Sequence, residues 1–210
     1  VEIVPVWKQV TPELAQELMA FWQANQAIVE PAAAASRALQ AVCIARDDAG
    51  ALCGIGTAVV KVLPRLRQPM YYYRQYFAKG LRGHHQELPF YLRAKQALQD
   101  YNASLAPPES LGILLEVENS KIAAAYKHAY EPAFDATFIG YSPRGLQLRV
   151  SYFDDAKLLA PSPLRRPAVV ARAHAPGDVL HQHVSAEHQH QHHTQHDQPP
   201  PGLCAVALAN

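Results

Sequence analysis

A chain of 210 residues with a formal net charge of +1 has no global attraction for nucleic acid or acidic membranes, and 49% apolar content is ordinary for a globular protein. No apolar run approaches the roughly 18 residues that span a bilayer, and the first residues lack a basic region followed by an apolar core, so no signal peptide is expected. Three scattered cysteines (Cys43, Cys53, Cys204) make no disulfide framework and suit a reducing, cytoplasmic setting.

In chain order, residues 2–10 (EIVPVWKQV) read as a first strand. Thr11 then caps a helix, with Pro12 at its first position and Leu14, Leu18, Phe21 and Trp22 as its apolar stripe. Pro31 breaks that pattern, and residues 32–39 form a second short helix. The segments AVCIAR (41–46) and LCGIGTAVVKV (52–62) flank a DDAG turn and read as a hairpin. From Met70 an aromatic strand, PMYYYRQYFA, is followed by KGLRGHH and then by a helix ending near Asn102, with a stripe of Leu88, Tyr91, Leu92, Lys95 and Leu98. A buried strand (111–118), a helix from Asn119 to about His128, and a hairpin of residues 136–141 and 146–153 around the turn SPRG complete the pattern. The order β-α-α-β-β-β-α-β-α-β-β predicts a mixed α/β (α+β) domain over residues 1–155, long enough for one core.

Beyond Asp155 the composition shifts. Residues 156–210 hold seven of the 17 prolines and eight of the 11 histidines without a sustained period, and are expected to be a disordered low-complexity tail. Removing the tail's four basic and three acidic residues from totals of 19 and 18 leaves a core with 15 of each. His181, His183, His188, His190, His192, His193 and His196 could hold Zn or Ni ions loosely, but no cysteine or carboxylate framework fixes a specific metal site. A shifted reading frame would also explain so abrupt a change.

Within the neutral core the charge is uneven. Lys61, Arg65, Arg67, Arg74, Lys79, Arg82, Arg93 and Lys95 stand against Glu87 alone. The order strand, basic glycine loop, helix start makes a cradle for an anion, because free backbone N–H groups and the helix dipole point into the loop. A solvated basic face is the plain alternative.

The order of elements together with Gly80-Leu81-Arg82-Gly83-His84-His85 resembles the GNAT acyltransferase superfamily. Its pyrophosphate loop is commonly Gln/Arg-x-x-Gly-x-Gly/Ala. Here Gly83 keeps the middle glycine after a basic residue, and His85 replaces the final small residue. Asn119, Ile122 and Tyr126 match a spacing that often follows the family's fifth strand, while YEPAF (130–134) stands where the family has Gly-Phe. The resemblance covers about residues 2–153. It implies a central, mostly antiparallel sheet of about seven strands with flanking helices. It implies acetyl-CoA as acyl donor between the fourth and fifth strands, contacted by Phe77, Ala78, Lys79, Arg82, Gly83, His84, His85 and Asn119. Tyr126 would protonate the departing thiolate, and Glu116 or a water would take the amine's proton. The other partner would be an unidentified amine acceptor; homodimer formation is left open, and no membrane partner is expected.

For individual residues simpler readings stand alongside. Glu116 and Glu118 share one face of their strand, opposite Ile113, Leu115 and Val117, and an exposed strand face accounts for both. Tyr71, Tyr72, Tyr73, Tyr76 and Phe77 read mainly as packing. An RNA-stacking platform is disfavoured because no RNP-like motif occurs. Cys43 and Cys53 read as buried hydrophobes, and Gly54-Ile55-Gly56 as a glycine bulge. The rival functions are a non-catalytic GNAT-fold module that binds acyl-CoA or another partner, and a nucleic-acid-binding domain using the basic 61–95 face.

Overall fold

The computed structural model describes residues 1–82 and 85–163. Local signals account for its first elements. Thr11 Oγ1 accepts a hydrogen bond from Leu14 N (3.2 Å) and Pro12 opens helix α1 (Pro12–Ala24), which buries Leu18, Phe21 and Trp22. The Glu30 carboxylate caps α2 (Pro31–Ala38) by accepting from the Ala32 and Ala33 amides. Pro31 thus starts the second helix as well as ending the preceding pattern.

Among the described residues eight strands follow the predicted order with one addition: β1 (Glu2–Pro5), β2 (Ala41–Arg46), β3 (Leu52–Val62), β4 (Pro69–Phe77), β5 (Gly112–Val117), β6 (Tyr130–Glu131), β7 (Ala136–Tyr141) and β8 (Gln147–Tyr152). They form one sheet in the spatial order β1-β2-β3-β4-β5-β8-β7-β6. Every neighbouring pair is antiparallel except β4 and β5, which run parallel and are joined by helix α3 (Glu87–Ala103). The fold is therefore mixed α/β with a mostly antiparallel sheet. The eighth strand is β6, whose two residues are too few to carry a period.

Three element readings change. The first strand stops at Pro5 rather than Val10, because the chain turns at Lys8, whose φ is 62°. Helix α3 buries Phe90, Tyr91, Ala94, Leu98 and Asn102 and leaves Leu92 exposed, so its inward stripe is not the one read from spacing alone. Helix α4 (Ser120–Ala125) ends three residues before His128, with Tyr126 as its C-cap.

Strand alternation divides the core. On one face Tyr71, Tyr73 and Phe77 of β4 and Ile113, Leu115 and Val117 of β5 pack with Phe90, Tyr91 and Leu98 of α3. The rings come close enough to demand glycine opposite them. A Cβ on Gly56 would lie 2.6 Å from the Tyr73 hydroxyl and 2.8 Å from the Phe90 ring, and one on Gly54 2.6 Å from the Phe77 ring. Register shifts in the β2–β3 ladder bracket these glycines, so bulging and close approach coincide there. The opposite face is split. Tyr76 packs with Phe21 and Trp22 beneath α1 and α2, while Met70, Tyr72, Leu111, Leu114 and Val150 form a separate cluster under the β3–β4 connection.

The folded unit passes the expected boundary at 155. Gln68 donates to Leu159 O and accepts from Leu159 N, both at 2.9 Å, and Ser162 N donates to Arg67 O at 2.9 Å. Residues 156–162 are thus docked, and the remainder of the predicted tail from 164 onward lies outside the described residues. No helix of the described residues is long and apolar enough to cross a membrane.

Candidate functional site

The β4–β5 ladder pairs Tyr71 with Ile113, Tyr72 with Leu114 and Tyr73 with Leu115, and then stops. Both strands continue, β4 for four residues to Phe77 and β5 for two to Val117. Beyond Tyr73, β4 stays bonded to β3 and β5 to β8, so the parallel pair opens into a gap at its C-terminal end. Open α/β sheets characteristically bind ligands at the carboxyl ends of their strands. Backbone groups lining such a gap are free to bond an extended amide-bearing ligand in the manner of an added strand.

On the α3 face, the gap meets the start of that helix. Residues Lys79–Leu81 form a single 3-10 turn, and Arg82 Nε donates to Phe77 O at 3.1 Å with its guanidinium over the Tyr76 ring. Among the described residues no side-chain hydrogen bond caps α3. Gln75 Nε2 donates to Glu87 O (3.4 Å) and Gln75 Oε1 accepts from the Tyr73 hydroxyl (3.0 Å), tying β4 to the helix start. Glu87 is buried, and among the described residues its Oε1 has no hydrogen-bond partner. Phe77 is fully buried, Ala78 precedes the turn, Lys79 is exposed, and His85 adopts a φ of 57°. Gly83 and His84 lie outside the described residues.

Tyr126 sits on this same face. Its ring meets Phe134 edge-on at 5.8 Å and shares a small crevice with Leu115, Val117 and Ile122. Arg149 holds the end of α4, donating to Tyr126 O (2.9 Å) and His128 O (3.1 Å). Desolvation, reinforced by the negative charges of Glu131 and Glu87, raises the Tyr126 hydroxyl pKa, so the phenol stays protonated near neutral pH. Asn119 Oδ1 accepts from Lys121 N and Ile122 N and is the N-cap of α4. Its carbonyl is thereby committed to the helix start, leaving its NH₂ as the polar group for any other contact.

Glu116 faces the other way. It is 6% exposed and belongs to a chain of charged and polar groups rather than to an open strand face. The Tyr72 hydroxyl donates to Glu116 Oε2, and Arg74 Nη2 donates to the Tyr72 hydroxyl at 2.7 Å. Arg144, from the β7–β8 turn, donates to both Glu116 Oε2 and Glu118 Oε1 at 2.7 Å. Burial pushes the Glu116 pKa up, but the hydrogen bonds from Arg144, Ser142 and Tyr72 outweigh it and bring the value down to about 2. A carboxylate this acidic holds positive charge well and is a weak proton acceptor at neutral pH.

The two nominated catalytic residues are therefore on opposite faces of the sheet. They can reach one reacting group only if it lies in the sheet's own gap. The eight basic residues are likewise dispersed. Lys61, Arg65 and Arg74 stand on the Glu116 face, Arg67 bonds Ser162 O, Lys79 opens the 3-10 turn and Arg82 follows it, Arg93 is exposed on α3, and Lys95 pairs with Asp135 at 2.9 Å. Tyr71, Tyr72, Tyr73 and Tyr76 are all buried, so none is presented for base stacking. Cys43 is a buried thiol whose pKa desolvation raises to about 12, which suits packing and not nucleophilic attack. Among the described residues no three His, Cys, Asp or Glu gather as a metal site, and the seven tail histidines lie outside them.

Sequence reasoning missed Tyr72 as a partner of Glu116, and it missed Arg144, Arg149 and Glu87. The turn SPRG marked Arg144 only as a turn residue. Nothing local signals an ion pair between positions 28 apart. In comparisons with known proteins, no family model matches this chain and no curated protein is significantly similar to it.

Proposed function

We propose that the protein is a cytoplasmic N-acyltransferase of the GNAT type, moving an acetyl group from acetyl-CoA to the amine of an acceptor. The observation that carries this reading is the parallel β4–β5 pair that opens after three residue pairs, with a basic turn and a helix start at one end and Tyr126 beside it. An extended arm bearing amides suits the unpaired strand ends, and Lys79 with Arg82 suits the diphosphate end.

In this reading the thioester lies in the gap and is approached from both faces. The acceptor nitrogen attacks the thioester carbonyl carbon from the Glu116 side, forming a C–N bond as the C–S bond breaks. Water carries away the nitrogen's proton, because Glu116 is too acidic to do so efficiently; its role is to draw the amine in by charge. The leaving sulfur takes a proton from Tyr126, whose hydroxyl is kept protonated by burial and by Glu131 and Glu87. Most of the acceleration comes from holding nitrogen and carbonyl in line.

Thermal unfolding of the full-length protein with acetyl-CoA tests the donor. Ligand at 100 times its dissociation constant adds about 2.7 kcal/mol of stability, and no shift at millimolar acetyl-CoA ends the proposal. Tyr126→Phe then keeps the shift but lowers turnover roughly 10²-fold or more if Tyr126 is the acid. Turnover equal to wild type removes it from that role. A second reading, a domain of this fold that binds no acyl-CoA, draws on Glu87, whose buried side chain stands at the first residue of α3 where the diphosphate would lie. The absence of an unfolding shift with acetyl-CoA favours that reading.

A further inference from the structure

On the Glu116 face a cleft of about 480 Å³ lies between the β3–β4 connection and the β7–β8 turn. Its size falls within the range of small-molecule sites. Tyr72, Leu114, Glu116 and Leu148 form its floor, and Lys61 and Arg65 stand on its wall. Charge around it is unbalanced. Both carboxylates present, Glu116 and Glu118, are bridged by Arg144. Among the described residues Arg37, Lys61, Arg65 and Arg74 form no ion pair.

Arg37, Lys61 and Arg74 feel one another. Lys61 Nζ and the Arg74 guanidinium both pack on the Tyr72 ring, at 3.9 and 4.5 Å from its centre. The Lys61 pKa is lowered, first by desolvation and then by the charge of Arg74; Arg37 is lowered in the same way. Arg74 Nε is buried, without a hydrogen-bond partner among the described residues. Glu116 acts on Lys61 and Glu118 on Arg37, but the cations outnumber these two carboxylates, and such an excess of positive side chains is what an anion would relieve.

We propose that this cleft binds a small organic anion through Lys61 and Arg65, and that the acyl acceptor is an amine carrying a carboxylate or phosphate group. The identification of the anion as the acceptor rests on the acyltransfer reading; anion binding itself does not. The anionic group sits at the Lys61–Arg65 wall, and the amine lies toward Glu116 at the floor, on the side from which the gap is reached. Arg65 gives a planar double donor for either acid, and Lys61 a point charge.

The test uses the full-length protein, with acetate and inorganic phosphate as separate probes read by thermal unfolding at fixed ionic strength. The larger shift tells which acid the site prefers. Lys61 and Arg65 are exposed, so Lys61→Gln/Arg65→Gln leaves the fold intact. The expected result is a shift in wild type that the Lys61/Arg65 variant weakens roughly tenfold in affinity, the loss of about one charged hydrogen bond, and for acetate one that Lys79→Gln/Arg82→Gln leaves in place. Equal shifts in wild type and the Lys61/Arg65 variant, or no shift with either anion at tens of millimolar, overturn the site. A transfer assay with acetyl-CoA compares β-alanine and 2-aminoethyl phosphate with ethylamine. Preference for either anionic amine, lost in the Lys61/Arg65 variant, supports the acceptor assignment. Ethylamine turned over as well as both refutes it while leaving acyltransfer standing. Anion binding without transfer to any amine counts against acyltransfer alone.

Discussion

The two faces of the sheet are built from alternate residues of the same strands, yet they differ in kind. Under α3 the face is dry and aromatic: Tyr71, Tyr73, Phe77, Phe90 and Tyr91 interlock, with ring pairs such as Phe77–Phe90 at 5.0 Å. On the opposite face α1 and α2 cover only the part around Tyr76. The part around Tyr72 and Leu114 is covered by loops and ends in a cleft lined with charge. Dry packing gives the α3 face rigidity and tolerates little change. The loop-covered half keeps ionised groups and room for a ligand, which a second helical layer would have excluded. The fold thus places a dry, packed face and a charged, open one back to back across a single sheet.

The largest effect should come from loosening the dry face. Phe90 is fully buried and packs edge-on against Phe77 and over Gly56. Phe90→Ala is expected to cost about 3–5 kcal/mol, from lost burial and the cavity left behind. Urea unfolding measures this directly. A loss below about 1 kcal/mol would mean that the face repacks freely and that the contrast between the two faces is overstated.

On the charged face the sensitivity should be to pH. The Glu116 pKa is held at about 2 in the folded protein, below the ordinary carboxylate range near 4.3. A depressed pKa adds stability above the unfolded value, and the gain is lost as pH falls from about 5 toward 2. With Arg144 half exposed to solvent, the contribution is roughly 1–3 kcal/mol at neutral pH. Glu116→Gln should therefore be less stable than wild type at pH 7, with the gap closing by pH 2–3. A gap constant with pH would show that Glu116 matters for packing and not for charge. Phe90→Ala, by contrast, should lose the same amount at both pH values.

Much of the framework was legible because its signals are local. The DDAG hairpin and both of its strands lie where alternation and turn chemistry put them, and Thr11-Pro12 starts α1 as capping requires. The alternation of β5 also put Glu116 opposite Leu115. What could not be read was long-range. The burial of Glu116 depends on Tyr72 from β4 and Arg144 from a distant turn. The eight cations looked like one patch because they are close in sequence. A strand sends alternate residues to opposite faces and a helix rotates by 100° per residue, so neighbours in sequence were dispersed in space. The short helix α4 ends at its Tyr126 C-cap, where Arg149 takes the carbonyls of Tyr126 and His128 just past the helix, an interaction that no local pattern announces.

The smallest expected effect concerns how the loop-covered half is closed. Leu159 packs against the cluster containing Met70, Tyr72 and Leu114, and Gln68 holds the backbone of Leu159 by two hydrogen bonds. This short extended segment does part of what a helix does elsewhere. Gln68→Ala should cost roughly 1–2 kcal/mol, the range for losing buried hydrogen bonds whose partners can recover water. Because the segment makes few backbone bonds of its own, the loss should appear mainly as local opening. Hydrogen exchange at the Leu159 and Ser162 amides should quicken, while exchange along α3 stays as in wild type. Faster exchange along α3 as well would mean that the two faces unfold as one unit, and that their difference in packing is not a difference in stability.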